Sequence, residues 1–356
     1  MRLNSEYGGR SLRLARVIVA AFAVFAPNLV TGQALTAAQL YPDHDLQEYS
    51  PASMRHVQFP PRTARRAVLL FRSGFDGEIQ LAPISGKYST YQEIRGTDSL
   101  TNFTWPLTAF NPNPQLTGIQ IVIASARRAA PDDINDYIDN RIVTVPGPAA
   151  YLTRALLMKV LKRSPATCCI QENLQTASVA APPMDMYERF SIRFNPELRR
   201  QVQSRRKRFW RTVWSMKTKA DYRIEAYVYG DANGDPYWYA HGDNNPAGPP
   251  LVEYWSASNK SVPVPLDEWA LVEIYLHRST GSDGRFFWAV NGKTVIDHYG
   301  PNYGSRRQPV NVFMYSSVYG SIFPMYQWID DLEIWTAPPC PSLPCDSPRS
   351  HISSRD

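Results

Sequence analysis

Alternation of apolar and polar residues limits most strongly what this chain can fold into. Across 222–229, Ile224, Ala226 and Val228 fall on one face, and Arg223, Glu225, Tyr227 and Tyr229 on the other. Across 269–278, Ala270, Val272, Ile274 and Leu276 oppose Leu271, Glu273, Tyr275 and His277. In 211–217 the same rule turns Thr212, Trp214 and Met216 inward and leaves Arg211, Val213, Ser215 and Lys217 outside. Residues 236–241 bring Tyr237, Tyr239 and His241 to one side. A period of two is the signature of a strand. Asn291-Gly292 between two such runs is a two-residue hairpin signal. Each strand therefore has one dry face and one polar, aromatic-rich face. That pattern predicts an all-β fold: a two-sheet antiparallel sandwich in which one outer face is a concave groove.

Strand-like runs begin at 67–71 and continue to Trp335, so one unit over 67–336 is expected. Apolar spacing predicts a helix over 149–161, and a weaker pattern a second short helix over 132–139. Arg10, Arg13 and Arg16 precede an apolar run over 17–25 and small residues ending at Ala34. This is the pattern of a secretory signal peptide over 1–34, which directs the mature chain outside the cytoplasm, extracellular or periplasmic. Residues 35–66 read as a Pro/Arg-rich leader or linker and 337–356 as a Pro/Ser/Cys tail. No later run is long and apolar enough for a membrane span. Cys340 and Cys345 can close a small loop, whereas the pairing of Cys168 and Cys169 is left open by their spacing.

With 356 residues, 44% of them hydrophobic, the chain can bury a sizeable core, which excludes a disordered chain and a disulfide-stapled miniprotein. Its net charge of +6 favours an anionic partner: acidic polysaccharide, membrane surface or nucleic acid. Export and the lack of a nucleic-acid motif weigh against nucleic acid. The basic run 199–211 reads first as a solvated loop, with polyanion binding as the alternative. A monomer is expected.

Four stretches carry a family resemblance: 70–78 (LFRSGFDGE), 214–223 (WSMKTKADYR), 269–275 (WALVEIY) with 287–292 (FWAVNG), and 328–335 (WIDDLEIW). Together they resemble the concanavalin A-like (laminin-G-like) jelly-roll superfamily in its polysaccharide-lyase branch, whose relatives include alginate, glucuronan and heparin lyases, glucanases and lectin-like domains. The resemblance implies a structural Ca²⁺ between the first and last strands, with Asp76, Asp330 and Asp331 as the matching ligands.

Fold does not settle chemistry. A glucanase needs two catalytic carboxylates on one strand in an E-x-D-x-E type of spacing, and none is present; Asp331 and Glu333 share a face only in the closing strand. β-Elimination from a uronate instead needs cations or donors to neutralise the carboxylate, a base for the α-proton, and an acid for the leaving oxygen. The polar face supplies such a set. His241 is assigned as base, Tyr239 as proton donor with Tyr227 as the other candidate, and Arg223 with Lys217 as carboxylate neutralisers. Arg211, Glu225, Tyr237, Trp255, Tyr275 and His277 are the candidate substrate-binding residues. Each has a plainer reading: cross-strand packing for the tyrosines, core packing for the tryptophans, a strand-end position for His277, and an Arg223 pair for Glu225. The expected activity is that of a lyase acting on an acidic polysaccharide. A lectin-like binding protein and a cell-envelope structural or adhesion protein are the alternatives.

Overall fold

The computed structural model describes residues 67–83, 91–106, 117–123, 136–148, 151–162, 170–177, 184–203, 210–231, 233–245, 250–319 and 323–345. The proposed signal peptide, the leader, Cys168, Cys169 and residues 132–135 lie outside them; residues 136–139 of the second expected helix form no α-helix, and Ile138 bridges Val160 of a strand instead.

Antiparallel strands form two sheets. The eight-stranded sheet runs in the order β16 (Lys293–Tyr299), β15 (Arg285–Val290), β14 (Trp269–His277), β9 (Asp185–Phe194), β18 (Met325–Trp335), β7 (Leu152–Val160) and β6 (Arg141–Pro146), with β1 (Leu69–Ser73) beside β18. The ten-stranded sheet runs β13 (Glu253–Asn259), β12 (Pro236–Asp243), β11 (Arg223–Gly230), β10 (Trp210–Thr218), β17 (Val310–Tyr319), β8 (Ile170–Ala177), β5 (Thr117–Ile123), β3 (Tyr91–Thr97) and β2 (Gln80–Pro83), with β4 (Thr104–Trp105) beside β3. The first and last strands are neighbours, Arg72 opposite Glu333. This is an all-β, antiparallel jelly-roll sandwich.

The predicted dry faces meet between the sheets. Ile224, Ala226 and Val228 from β11 and Val272, Ile274 and Leu276 from β14 are all buried. Trp238 of β12 meets Trp288 of β15 edge to face at 5.2 Å, and Trp214 of β10 meets Phe286 of β15 at 5.7 Å, so aromatic pairs join the two sheets. Asn291 (φ 50°) and Gly292 (φ 70°) both take the left-handed conformation that a two-residue hairpin of this kind demands. Cys340 and Cys345 are disulfide-bonded, and the Cys345 amide donates to Glu273 Oε1 (2.9 Å), which fixes that segment to the outer face of the eight-stranded sheet.

The helix expected over 149–161 is the strand β7. Ala155, Leu156, Leu157 and Met158 are consecutive and all buried, because this strand is covered on both faces. A doubly covered strand loses its alternation, and its unbroken apolar run then imitates helical spacing. Among the described residues the only α-helix is α1 (Leu198–Gln203). No helix there is long and apolar enough to cross a membrane.

Candidate active site

The polar faces of β10, β11, β12 and β13 lie side by side on the outside of the ten-stranded sheet. Lys217 is opposite Arg223, Arg223 opposite Asp243, and Asp243 opposite Glu253; one step along, Glu225 is opposite His241. Cross-strand neighbours on one face are in contact range, and here they interlock. Lys217 Nζ lies 2.9 Å from Glu225, and Arg223 Nε lies 3.3 Å from Glu225 and 2.7 Å from Asp243. The His241 ring sits among three carboxylates: Nε2 is 3.6 Å from Glu225 and 3.8 Å from Asp243, and Nδ1 is 3.3 Å from Glu253.

Tyrosines continue the face. Tyr227 Oη donates to Glu225 and lies 3.4 Å from His241 Nε2. Tyr239 Oη donates to Glu253 at 3.1 Å. The Tyr227 and Tyr239 rings stack at 6.2 Å, and Tyr229 and Tyr237 at 6.0 Å.

Burial decides the protonation states. By itself it would drive His241 neutral; hydrogen bonds to Glu225 and Glu253 and the charges of Asp243 and Glu225 override it and hold the imidazole up at about 9. Burial would likewise raise Glu225 and Glu253, but Arg223, Lys217 and His241 keep Glu225 well below the usual carboxylate range, and hydrogen bonds from His241, Ser256 and Tyr239 keep Glu253 below it. Burial lowers Lys217 against the pull of Glu225. Burial and the Glu253 charge push Tyr239 far up, so its hydroxyl keeps its proton.

Glu225, His241 and Asp243 each place a ligand atom within 4.8 Å of the others, the spacing of a metal cluster. Lys217 and Arg223 already occupy those carboxylates, so the set does not fit a cation.

The structure thus brings together His241, Tyr239, Tyr227, Arg223, Lys217, Glu225 and Tyr237. It separates four others. Arg211 was expected to face outward and Thr212 inward; a bulge between Thr212 and Trp214 shifts the alternation, so Arg211 opposes the core residue Val228 and Thr212 opposes Tyr227. Arg211 is buried between the sheets, donating to Gln327 (2.9 Å) and Gln201 (3.0 Å), and burial lowers it to about 9. Trp255 opposes the core-facing Gly242 and stacks on His298 at 4.1 Å, so it is interior packing and no sugar platform in the groove. Tyr275 and His277 stand on the outer face of the other sheet, where both bond Asp185 (2.9 and 2.7 Å). Alternation cannot say which of two sheets a strand joins.

Two residues of the site were missed. Asp243 continues the series Tyr237, Tyr239, His241 and was legible by running the alternation two residues further. Glu253 carried no local signal, because the bulge between Gly242 and Asp243 sets the β12–β13 register.

The carboxylates named for calcium converge elsewhere, near the β1–β18 junction. An ideal Cβ on Gly74 would lie 3.0 Å from Asp76 Oδ2, 3.4 Å from Asp331 Oδ1 and 3.5 Å from Asp330 Oδ1, so a side-chain-free residue is ringed by acid oxygens. Burial and the charges of Asp98 and Asp331 raise Asp76. Burial and the charge of Asp331 raise Asp330. Crowded, all-oxygen donors fit a hard cation.

No protein-family model matches the sequence, and no curated protein matches it. Among solved structures, an endo-β-1,4-glucuronan lyase from the fungus Trichoderma reesei is 14% identical, covers 56% of this chain and 90% of its own, and gives a TM-score of 0.41. An alginate lyase from Aplysia kurodai is 10% identical over 56% of this chain and 87% of its own, with a TM-score of 0.36. A further alginate lyase is 16% identical over 55% and 82%, with a TM-score of 0.37.

Proposed function

We propose that the chain is an exported lyase that cleaves an acidic, uronate-containing polysaccharide by β-elimination on the outer face of the ten-stranded sheet. The observation that carries this reading is the shared hold of Glu253 on His241 Nδ1 (3.3 Å) and Tyr239 Oη (3.1 Å), with Lys217 and Arg223 on the same face. Glu253 fixes the Nδ1–H tautomer, so Nε2 of neutral His241 is the atom that takes the α-proton. The electron pair of that C–H bond forms the new double bond and expels the glycosidic oxygen, which receives the Tyr239 proton. A phenol held fully protonated is suited to that donation. Arg223 and Lys217 offset the charge that builds on the uronate carboxylate. Since His241 titrates at about 9, turnover rises with pH toward that value. At the Gly74 cradle, Asp76, Asp330 and Asp331 would hold a calcium ion that supplies structural charge balance.

A second reading, carbohydrate binding without turnover, is favoured by one observation: Lys217, Arg223 and His241 are each already paired with a carboxylate. Ultraviolet absorbance of unsaturated products decides between them, with purified protein on alginate, glucuronan and heparin. A rising signal that His241→Ala abolishes establishes elimination; binding with a flat trace establishes the second reading.

A further inference from the structure

Lys217 is committed twice. The proposed reaction asks it to offset a uronate carboxylate, yet its ammonium sits 2.9 Å from Glu225 Oε1. Both residues are buried. Drawing the cation away therefore strips a partner from a carboxylate that water does not solvate, which is costly. The other groups around Glu225 do not cover that loss. Tyr227 donates to Oε2, Arg223 Nε lies 3.3 Å from Oε2, and His241 Nε2 lies 3.6 Å from Oε2. Oε1 rests on Lys217.

A replacement donor stands across the strand pair. Ser215 is directly opposite Glu225, in the row that continues to His241 on one side and to Met314 on the other. Directly opposed residues share a face, with Cβ atoms about 4.5–5.5 Å apart, within reach of a side-chain hydrogen bond. Ser215 is completely buried, and its hydroxyl has no hydrogen-bond partner among the described residues. Rotation about one bond moves a serine hydroxyl between its staggered positions. A buried hydroxyl left unpaired costs stability, and alanine at this position would avoid that cost.

We infer that Ser215 is a positioning residue whose hydroxyl donates to Glu225 Oε1 when Lys217 leaves that oxygen for the uronate carboxylate of the polysaccharide. Oε1 then exchanges an ammonium donor for a hydroxyl donor, while Arg223 and His241 go on balancing the charge of Glu225. The exchange rests on the reading that the ligand carries a uronate, and it does not require turnover.

The test measures binding of alginate and glucuronan oligosaccharides by calorimetry, product formation by absorbance, and melting temperature. The proteins are wild type, Ser215→Ala, Ser215→Thr, Lys217→Gln and the double variant Ser215→Ala/Lys217→Gln. Ser215→Ala should melt at or above wild type, because the hydroxyl it loses bonds nothing in the free protein, and should bind about tenfold more weakly. Ser215→Thr, which keeps the hydroxyl, should bind near wild type. Lys217→Gln has no cation to move, so adding Ser215→Ala to it should cost no further affinity. Ser215→Ala binding as tightly as wild type, Ser215→Thr binding as weakly as Ser215→Ala, or an equal loss with and without Lys217 overturns the exchange and leaves the lyase reading intact. Ser215→Ala melting well below wild type overturns it too, since the hydroxyl is then already bonded. No turnover, with the Ser215→Ala loss of binding still dependent on Lys217, upholds the exchange and overturns the lyase. No binding by wild type to either polymer overturns both.

Discussion

Replacing Glu253 by Gln removes one of the three negative charges around His241 while leaving an oxygen to accept the Nδ1 proton. Raising the imidazole from 6.5 to about 9 corresponds to about 3 kcal/mol in favour of the charged ring. Three carboxylates share that effect, so losing one should bring His241 down to roughly 8. NMR titration of the imidazoles reads this directly, with His241→Ala identifying its signal among the six histidines of the chain. The same linkage predicts stability. A group held above its unfolded value contributes fully below 6.5 and loses its contribution as pH rises through about 9. Wild-type unfolding free energy should therefore fall by up to about 3 kcal/mol between pH 6 and pH 10 from this group, and the fall in Glu253→Gln should be smaller and centred lower. The Glu225 and Glu253 shifts belong to the same interactions and are not added to it. An imidazole that titrates at or below 6.5 in wild type, or one that Glu253→Gln leaves unmoved, refutes the reasoning.

Three further outcomes follow from the same geometry. Tyr239→Phe should lower turnover about 100-fold or more while oligosaccharide affinity stays near wild type, measured by absorbance and calorimetry. Calcium should raise the melting temperature of chelator-treated protein by about 3 °C, and Asp330→Asn should remove the response, as read by thermal unfolding with and without the ion. Arg211→Ala should cost about 3 kcal/mol in denaturant unfolding, through a cavity and two orphaned amides, without changing polyanion affinity; a loss of affinity at unchanged stability would place Arg211 at the ligand after all.

Much of the sandwich was legible because one-sided burial writes itself into alternation, as in β11 and β14. It failed where that condition failed. β7 is covered on both faces and read as a helix, and β10 contains an extra residue that no composition rule announces. At the site, alternation gathered His241, Tyr239, Tyr227, Glu225, Arg223 and Lys217 because each strand keeps its phase locally. It gave Tyr275 and His277 the wrong sheet, since strand partners are chosen by long-range packing. It assigned Trp255 to the ligand, whereas the ring turns inward opposite Gly242 and stacks on His298. The charge state of His241 was out of reach for the same reason: Asp243 shares its strand, but Glu225 and Glu253 come from β11 and β13, and only the register brings those two within 4 Å.

The extra residue in β10 means that a count along the strand, and not residue identity alone, decides which face each residue upstream of it is read onto. Deleting Val213 would restore an unbroken zigzag with Thr212 still opposite Tyr227 and Trp214 opposite Ala226, and would leave the Arg211 guanidinium in the interior. A comparison of this chain with a relative that lacks the extra residue must therefore open a gap at that position before matching columns, or every residue upstream of it in the strand will be paired with one from the opposite side.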